Sequence, residues 1–124
     1  MTSADQHISM RDMKLRPLVA DDVSKDYVAG LNNPEVNQYM EVRKQRQTLS
    51  SVVQFVEENL NATDSILWGI WTLEPDRLVG SVRLHNIDDE TNSCDIGVCV
   101  FDRSVWGKGV ASRAIREVCN WGYE

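Results

Sequence analysis

The sequence predicts an α+β fold on three observations. Three strand-like segments, 66–73, 78–86 and 94–101, follow one another with only short polar turns between them. Such neighbours pair as an antiparallel meander. One short strand and helical segments come before them, and one strongly amphipathic helix comes after. That order is not a repeating strand–helix–strand array. The 124 residues suit one domain, and 42% hydrophobic with 26% charged residues is a globular composition.

Each element has a local reason. Residues 1–12 are polar and are expected as a loose arm, with the domain proper over 13–124. A first strand is expected at 13–17. Asp21 or Asp22 can cap a helix carrying Val23, Tyr27 and Leu31 on one face. Asn33 and Pro34 stop that helix and start a short one reaching about Met40. The segment 41–47 is polar and basic. Thr48 or Ser50 then caps a helix to about Leu60, with Val52, Val53, Val56 and Leu60 as its stripe. Residues 74–77, Glu-Pro-Asp-Arg, form a turn, as do the polar residues 88–92. The last helix, 107–123, buries Val110, Ala111, Ala114, Ile115, Val118 and Trp121. Trp68, Trp71 and Trp121 are expected in the core.

Charge and composition exclude several functions. The net charge of −6 argues against a general nucleic-acid or anionic-membrane binder. No apolar run approaches the ~18–20 residues a membrane span needs. The first fourteen residues lack the apolar centre of an export signal. Cys94, Cys99 and Cys119 are odd in number and none are paired as CxxC. They suit a reducing, cytoplasmic setting, with no disulfide framework and no metal site. No base is visible beside them in sequence, so a covalent cysteine intermediate is not expected.

The chemically informative segment is 99–112, Cys-Val-Phe-Asp-Arg-Ser-Val-Trp-Gly-Lys-Gly-Val-Ala-Ser. A strand runs into a glycine loop, and the loop opens a helix. Free amides at a helix start favour an anion. Arg103, Lys108, Arg113 and Arg116 stand against Asp102 alone, so 102–116 carries +3 and the remainder −9. A phosphorylated ligand fits there. The Walker pattern is absent, and the dinucleotide pattern fails at Ser112, where its third glycine would stand.

The fuller run from Ile96 to Ala111 resembles the acetyl-CoA-binding motif of the GNAT superfamily of N-acetyltransferases. The family pattern is Q/R-x-x-G-x-G/A, and Trp106 stands where Gln or Arg is usual. Trp-Gly-Lys-Gly resembles the form of one branch, that of ribosomal-protein N-terminal and aminosugar N-acetyltransferases. Leu15-Arg16-Pro17-Leu18 is similar to that branch's opening strand, and the segment from Leu31 to Arg43 to its acceptor-side helix and loop. The similarity spans about residues 13–123.

The resemblance implies a GNAT-like mixed sheet and acetyl transfer from acetyl-CoA, with no metal, to a primary amine. The amine attacks the thioester directly. Cys99, Val100 and Phe101 would offer backbone groups to pantetheine. The amides of Trp106, Gly107, Lys108, Gly109, Val110 and Ala111 would take the pyrophosphate. Three bases are candidates: Asp95 first, then His85 and Glu41. Asn32, Arg43 and Arg46 are candidates for holding the acceptor, a small-molecule or peptide amine. An aminosugar, often nucleotide-linked, is favoured over a peptide N-terminus. The family fold continues past this helix with a strand, a helix and a closing strand. The expectation is therefore a chain short of those strands, with an open sheet edge and a tendency to self-associate as a dimer. The alternative is a non-catalytic remnant that binds CoA or serves as a dimerisation unit.

Overall fold

The computed structural model describes residues 6–34, 47–73, 76–88, 90–91 and 93–122. Among the described residues five strands form one sheet: β1 (Ile8–Ser9), β2 (Met13–Pro17), β3 (Ile66–Leu73), β4 (Asp76–Asp88) and β5 (Ser93–Val100). Their spatial order is their chain order, and every described pair is antiparallel. Helix α1 (Lys25–Asn32) and helix α2 (Leu49–Asn61) stand between β2 and β3 in sequence, and α3 (Val110–Gly122) follows β5. The α+β expectation, a meander and then a helix, therefore holds.

The sheet separates two cores. Met13, Leu15, Trp68, Ile70, Val79, Val82 and Leu84 meet Val110, Ala114 and Val118 of α3 on one face. Leu18, Tyr27, Leu67 and Trp71 pack with Val52 and Val56 of α2 on the other. Each of the fully buried aliphatic side chains contributes about 1.5–3 kcal/mol. Trp68 and Trp71 lie in the core as expected, and Trp121 meets Trp68 edge-on at 5.3 Å between ring centres.

Several expectations are corrected. Residues 6–12 are not a loose arm. Ile8 and Ser9 pair with Leu15 and Lys14, and the Gln6 carbonyl accepts the Trp68 indole N–H at 2.7 Å. Neither Asp21 nor Asp22 caps α1. The Asp22 carboxylate is occupied by both Arg16 Nη groups at 2.8 and 2.9 Å and by the Val19 amide. Those residues form a short 3-10 turn, Ala20–Asp22, and Ser24 accepts the Tyr27 amide as the actual cap. Val23 is thus outside the helix.

Thr48 caps α2 as expected, receiving the Ser51 amide at 3.0 Å. Its buried stripe is Val52, Val56 and Asn59, while Leu60 is exposed. A polar residue takes a place in the stripe because its Nδ2 donates to the Phe55 carbonyl and its Oδ1 accepts from Arg83. Helix α3 starts at Val110 and not at Gly107. Gly107 and Gly109 have φ of +84° and +73°, which no right-handed helix contains. Strand β4 is longer than expected at both ends, and Phe101 falls just past β5.

Candidate active site at the end of β5

The site is built where β5 leaves the sheet and turns into α3. Val105 and Val110 are buried, and residues 106–109 between them are exposed. Two apolar anchors thus hold a loop of backbone out to solvent. A Cβ added at Gly107 or Gly109 would meet no atom within 4 Å. The positive φ at both positions keeps side chains off this open cradle. The Arg113 amide makes the helical bond to the Gly109 carbonyl at 3.0 Å. The amides of Val110, Ala111 and Ser112 therefore precede the first helical donor and suit an anion. This exposed cradle fits the pyrophosphate of acetyl-CoA, and acetyl-CoA would supply the activated acetyl group.

The strand side is more selective than expected. Phe101 donates its amide to the Val79 carbonyl at 3.0 Å. With the register Gly80↔Val100 and Ser81↔Cys99, hydrogen-bonded pairs then alternate along the ladder. Cys99 and Phe101 turn their backbone groups inward to β4. Val100, Val98 and Ile96 turn theirs to the outer edge. Of the three expected pantetheine positions only Val100 faces outward. Its carbonyl is already taken by the Trp106 indole at 2.8 Å.

The loop is braced from below. Asp102 accepts the Ser104 amide at 3.0 Å and its hydroxyl at 2.6 Å, and Arg77 Nε stands 2.7 Å from its other oxygen. Arg77 also reaches Ser104 at 2.9 Å. Burial pushes the Asp102 carboxyl up, but Ser104 and Arg77 together outweigh it and hold the group below the usual carboxylate range. Arg113 is not a free cation of the loop. Asp12 holds its Nη1 at 2.7 and 2.9 Å.

On the α1–α2 face, the phenol of Tyr27 lies 4.7 Å, centre to centre, from Phe101. Phe101 packs against Gly30, where a Cβ would come within 2.7 Å of it. Burial pushes the Tyr27 hydroxyl up to about 12, and burial alone pushes the Cys99 thiol up to about 11. Cys99 is thus a protonated thiol near neutrality and no nucleophile.

Asp95 and His85 are cross-strand partners on this same face. Asp95 is exposed and accepts the Asn86 side-chain amide at 2.8 Å, and His85 is half-buried. Asp95 stands five residues before Val100, roughly 17 Å along the strand. Asn32 is tied elsewhere: its amide bonds the Gln47 carbonyl at 2.8 Å and accepts the Gln47 amide at 2.7 Å. It clamps the two ends of the α1–α2 connection. Glu41, Arg43 and Arg46 lie outside the described residues. No group of three or more metal-ligating side chains occurs among the described residues. A cavity of about 1000 Å³ lies at the opposite end of β5, beside Ser93, Cys94, Ile96 and Trp121.

Sequence reading missed Arg77, Asn59 and Arg83. Arg83 Nε donates to Asn59 Oδ1 at 2.8 Å, and its guanidinium lies 5.0 Å from the Phe55 ring centre. No local pattern links those three residues.

The model of the acetyltransferase (GNAT) domain family matches residues 12–124. The chain belongs to this GNAT family. Among curated proteins, an uncharacterized N-acetyltransferase, p20, of Bacillus licheniformis is 26% identical over 94 residues. That match covers 74% of this chain and 52% of p20, so the chain spans about half the length of this relative. Two solved GNAT-like folds match over nearly all of the chain. One is an acetyltransferase of the GNAT family from Bacillus anthracis, with TM-score 0.76 and 21% identity, covering 94% of this chain and 66% of that one. The other is spermidine N-acetyltransferase from Vibrio cholerae in complex with CoA and spermine, with TM-score 0.77 and 16% identity, covering 91% and 64%. At these identities the likeness is one of fold.

Proposed function

We propose that this GNAT chain binds acetyl-CoA and serves an N-acetyltransferase that acetylates a primary amine by direct attack. The observation that carries the reading is the exposed backbone cradle at Gly107 and Gly109, held at a helix start beside the outward-facing Val100 amide. The cradle holds the pyrophosphate, and the Val100 amide at the strand edge aligns the arm that carries the thioester. The amine must be neutral to attack. Asp95 and His85 are the described groups on the α1–α2 face that can take its proton through water. Holding amine and thioester together supplies much of the rate.

Within this reading an aminosugar is favoured over a peptide N-terminus. The segment Asn33-Pro34-Glu35-Val36-Asn37 with Arg43 supports it, by its likeness to the branch named above. The test is release of free CoA thiol from acetyl-CoA against a panel of aminosugars, peptides and polyamines. We expect turnover with aminosugars that rises with pH as the amine loses its proton. No turnover with any amine overturns the reading.

A further inference from the structure

Arg83 stands in the middle of β4, on the α1–α2 face of the sheet. Its Nε is fixed by Asn59, a residue 5% exposed whose own amide is used by the Phe55 carbonyl at 2.9 Å. Phe55 lies against the guanidinium. The head is thus braced from one side by a buried amide and a ring. Among the described residues no carboxylate meets it, and Nη1 and Nη2 have no hydrogen-bond partner. In a chain of net charge −6, a half-buried guanidinium without a carboxylate is a specific arrangement.

Space lies beside it. The cross-strand partner of Arg83 is Gly97, and a Cβ there would meet nothing within 4 Å. Cross-strand partners share a face, so this opening adjoins the arginine. Asp95 and His85 flank the pair on the same face, two residues along each strand. Gly97 stands three residues before Val100, about 10 Å along β5, and Arg83 is one strand in, about 5 Å from the outer strand. An acceptor whose amine approaches the β5 edge would therefore bring a neighbouring group over Gly97 and onto Arg83.

We propose that Arg83 binds an anionic group, a phosphate or carboxylate, carried by the amine acceptor. A guanidinium held at Nε keeps its two Nη groups for a paired-oxygen anion, which a lysine cannot match. Arg83 then selects which amines are acetylated. The proposal rests on the acetyltransferase reading above.

The test compares glucosamine 6-phosphate with glucosamine, and β-alanine with propylamine, in the wild type, Arg83→Gln and Arg83→Lys. In the wild type we expect the lower KM for the anionic member of at least one pair, which also tells phosphate from carboxylate. In Arg83→Gln the ratio of the KM of the amine that carries the anionic group to that of its counterpart without it should rise at least tenfold, with a partial rise in Arg83→Lys. An unchanged ratio in both variants overturns the proposal. Should the wild type acetylate no amine, the acetyltransferase reading fails, and binding decides the proposal by itself. Chemical-shift titration with glucosamine 6-phosphate and β-alanine, with CoA present, should then perturb the Gly97 amide in the wild type and not in Arg83→Gln. Equal perturbation in both proteins, or none in the wild type, overturns it.

Discussion

The indole Nε1 of Trp106 donates to the backbone carbonyl of Val100 at 2.8 Å. The loop residue thus fastens itself to the outer edge of the strand that leads into it. A single hydrogen bond of this kind contributes about 1 kcal/mol. Trp106→Phe keeps an aromatic side chain and removes the donor. Calorimetry should show CoA binding weakened roughly fivefold, with the fold intact. Unaltered affinity would mean that the bond does not shape the cradle.

At Gly109, φ is +73° and open space lies over the backbone. Gly109→Val therefore has two effects. It strains the backbone by about 1–2 kcal/mol, lowering the melting temperature, and it places a branched side chain where the ligand must approach. CoA binding should fall by far more than the stability loss accounts for. A folded Gly109→Val protein with normal CoA affinity would remove the pyrophosphate from this loop.

The Asp102 carboxyl is held below its usual range, so its ionised form stabilises the fold. The sign follows from linkage: this stability is present above the unfolded-state value and is lost as pH falls through the folded one. Asp102→Asn, which loses the charge pair with Arg77, should cost up to about 1 kcal/mol at neutral pH and flatten the acid limb of the stability curve. Urea melts of both proteins between pH 2 and 7 measure this. Parallel curves would mean that Arg77 and Ser104 do not favour the charged form.

Much of this arrangement was legible in the sequence, and the exceptions share a cause. Residues 66–73 read correctly because an apolar run is followed in sequence by Glu-Pro, a pair that disfavours continuing a strand. A glycine turn between strand and helix is legible because Gly107 and Gly109 carry a backbone requirement that few other residues meet, although the helix begins at Val110 and not at Gly107. Contacts between distant residues left no pattern. Arg113 adds to the charge of the loop segment in sequence, yet its partner Asp12 is 101 positions away. Asn59 filled a helix stripe position expected for Leu60 because Arg83, on another element, satisfies it. The Asn32 side-chain amide bonds Gln47, fifteen positions away, through both its ends.

Strand β5 ends the described sheet, and Ile96, 41% exposed, Val98 and Val100 turn their backbone groups outward along it. Asp95 is its single charged residue. Edges so lightly guarded invite pairing. Sedimentation velocity of the CoA-free protein at micromolar concentration should show a dimer, and Ile96→Lys or added CoA, which uses the same edge, should each shift it toward monomer. A monomeric wild type would mean that this edge does not pair.

The proposed site places acetyl-CoA along the outer end of β5 and on the glycine cradle. Amide chemical shifts recorded during CoA titration test it most directly. Saturable perturbation of the Val98 and Val100 amides and of residues 106–111 is expected. No binding, or perturbation centred instead on Ser93, Cys94 and Ile96 at the opposite end of the strand, would contradict it.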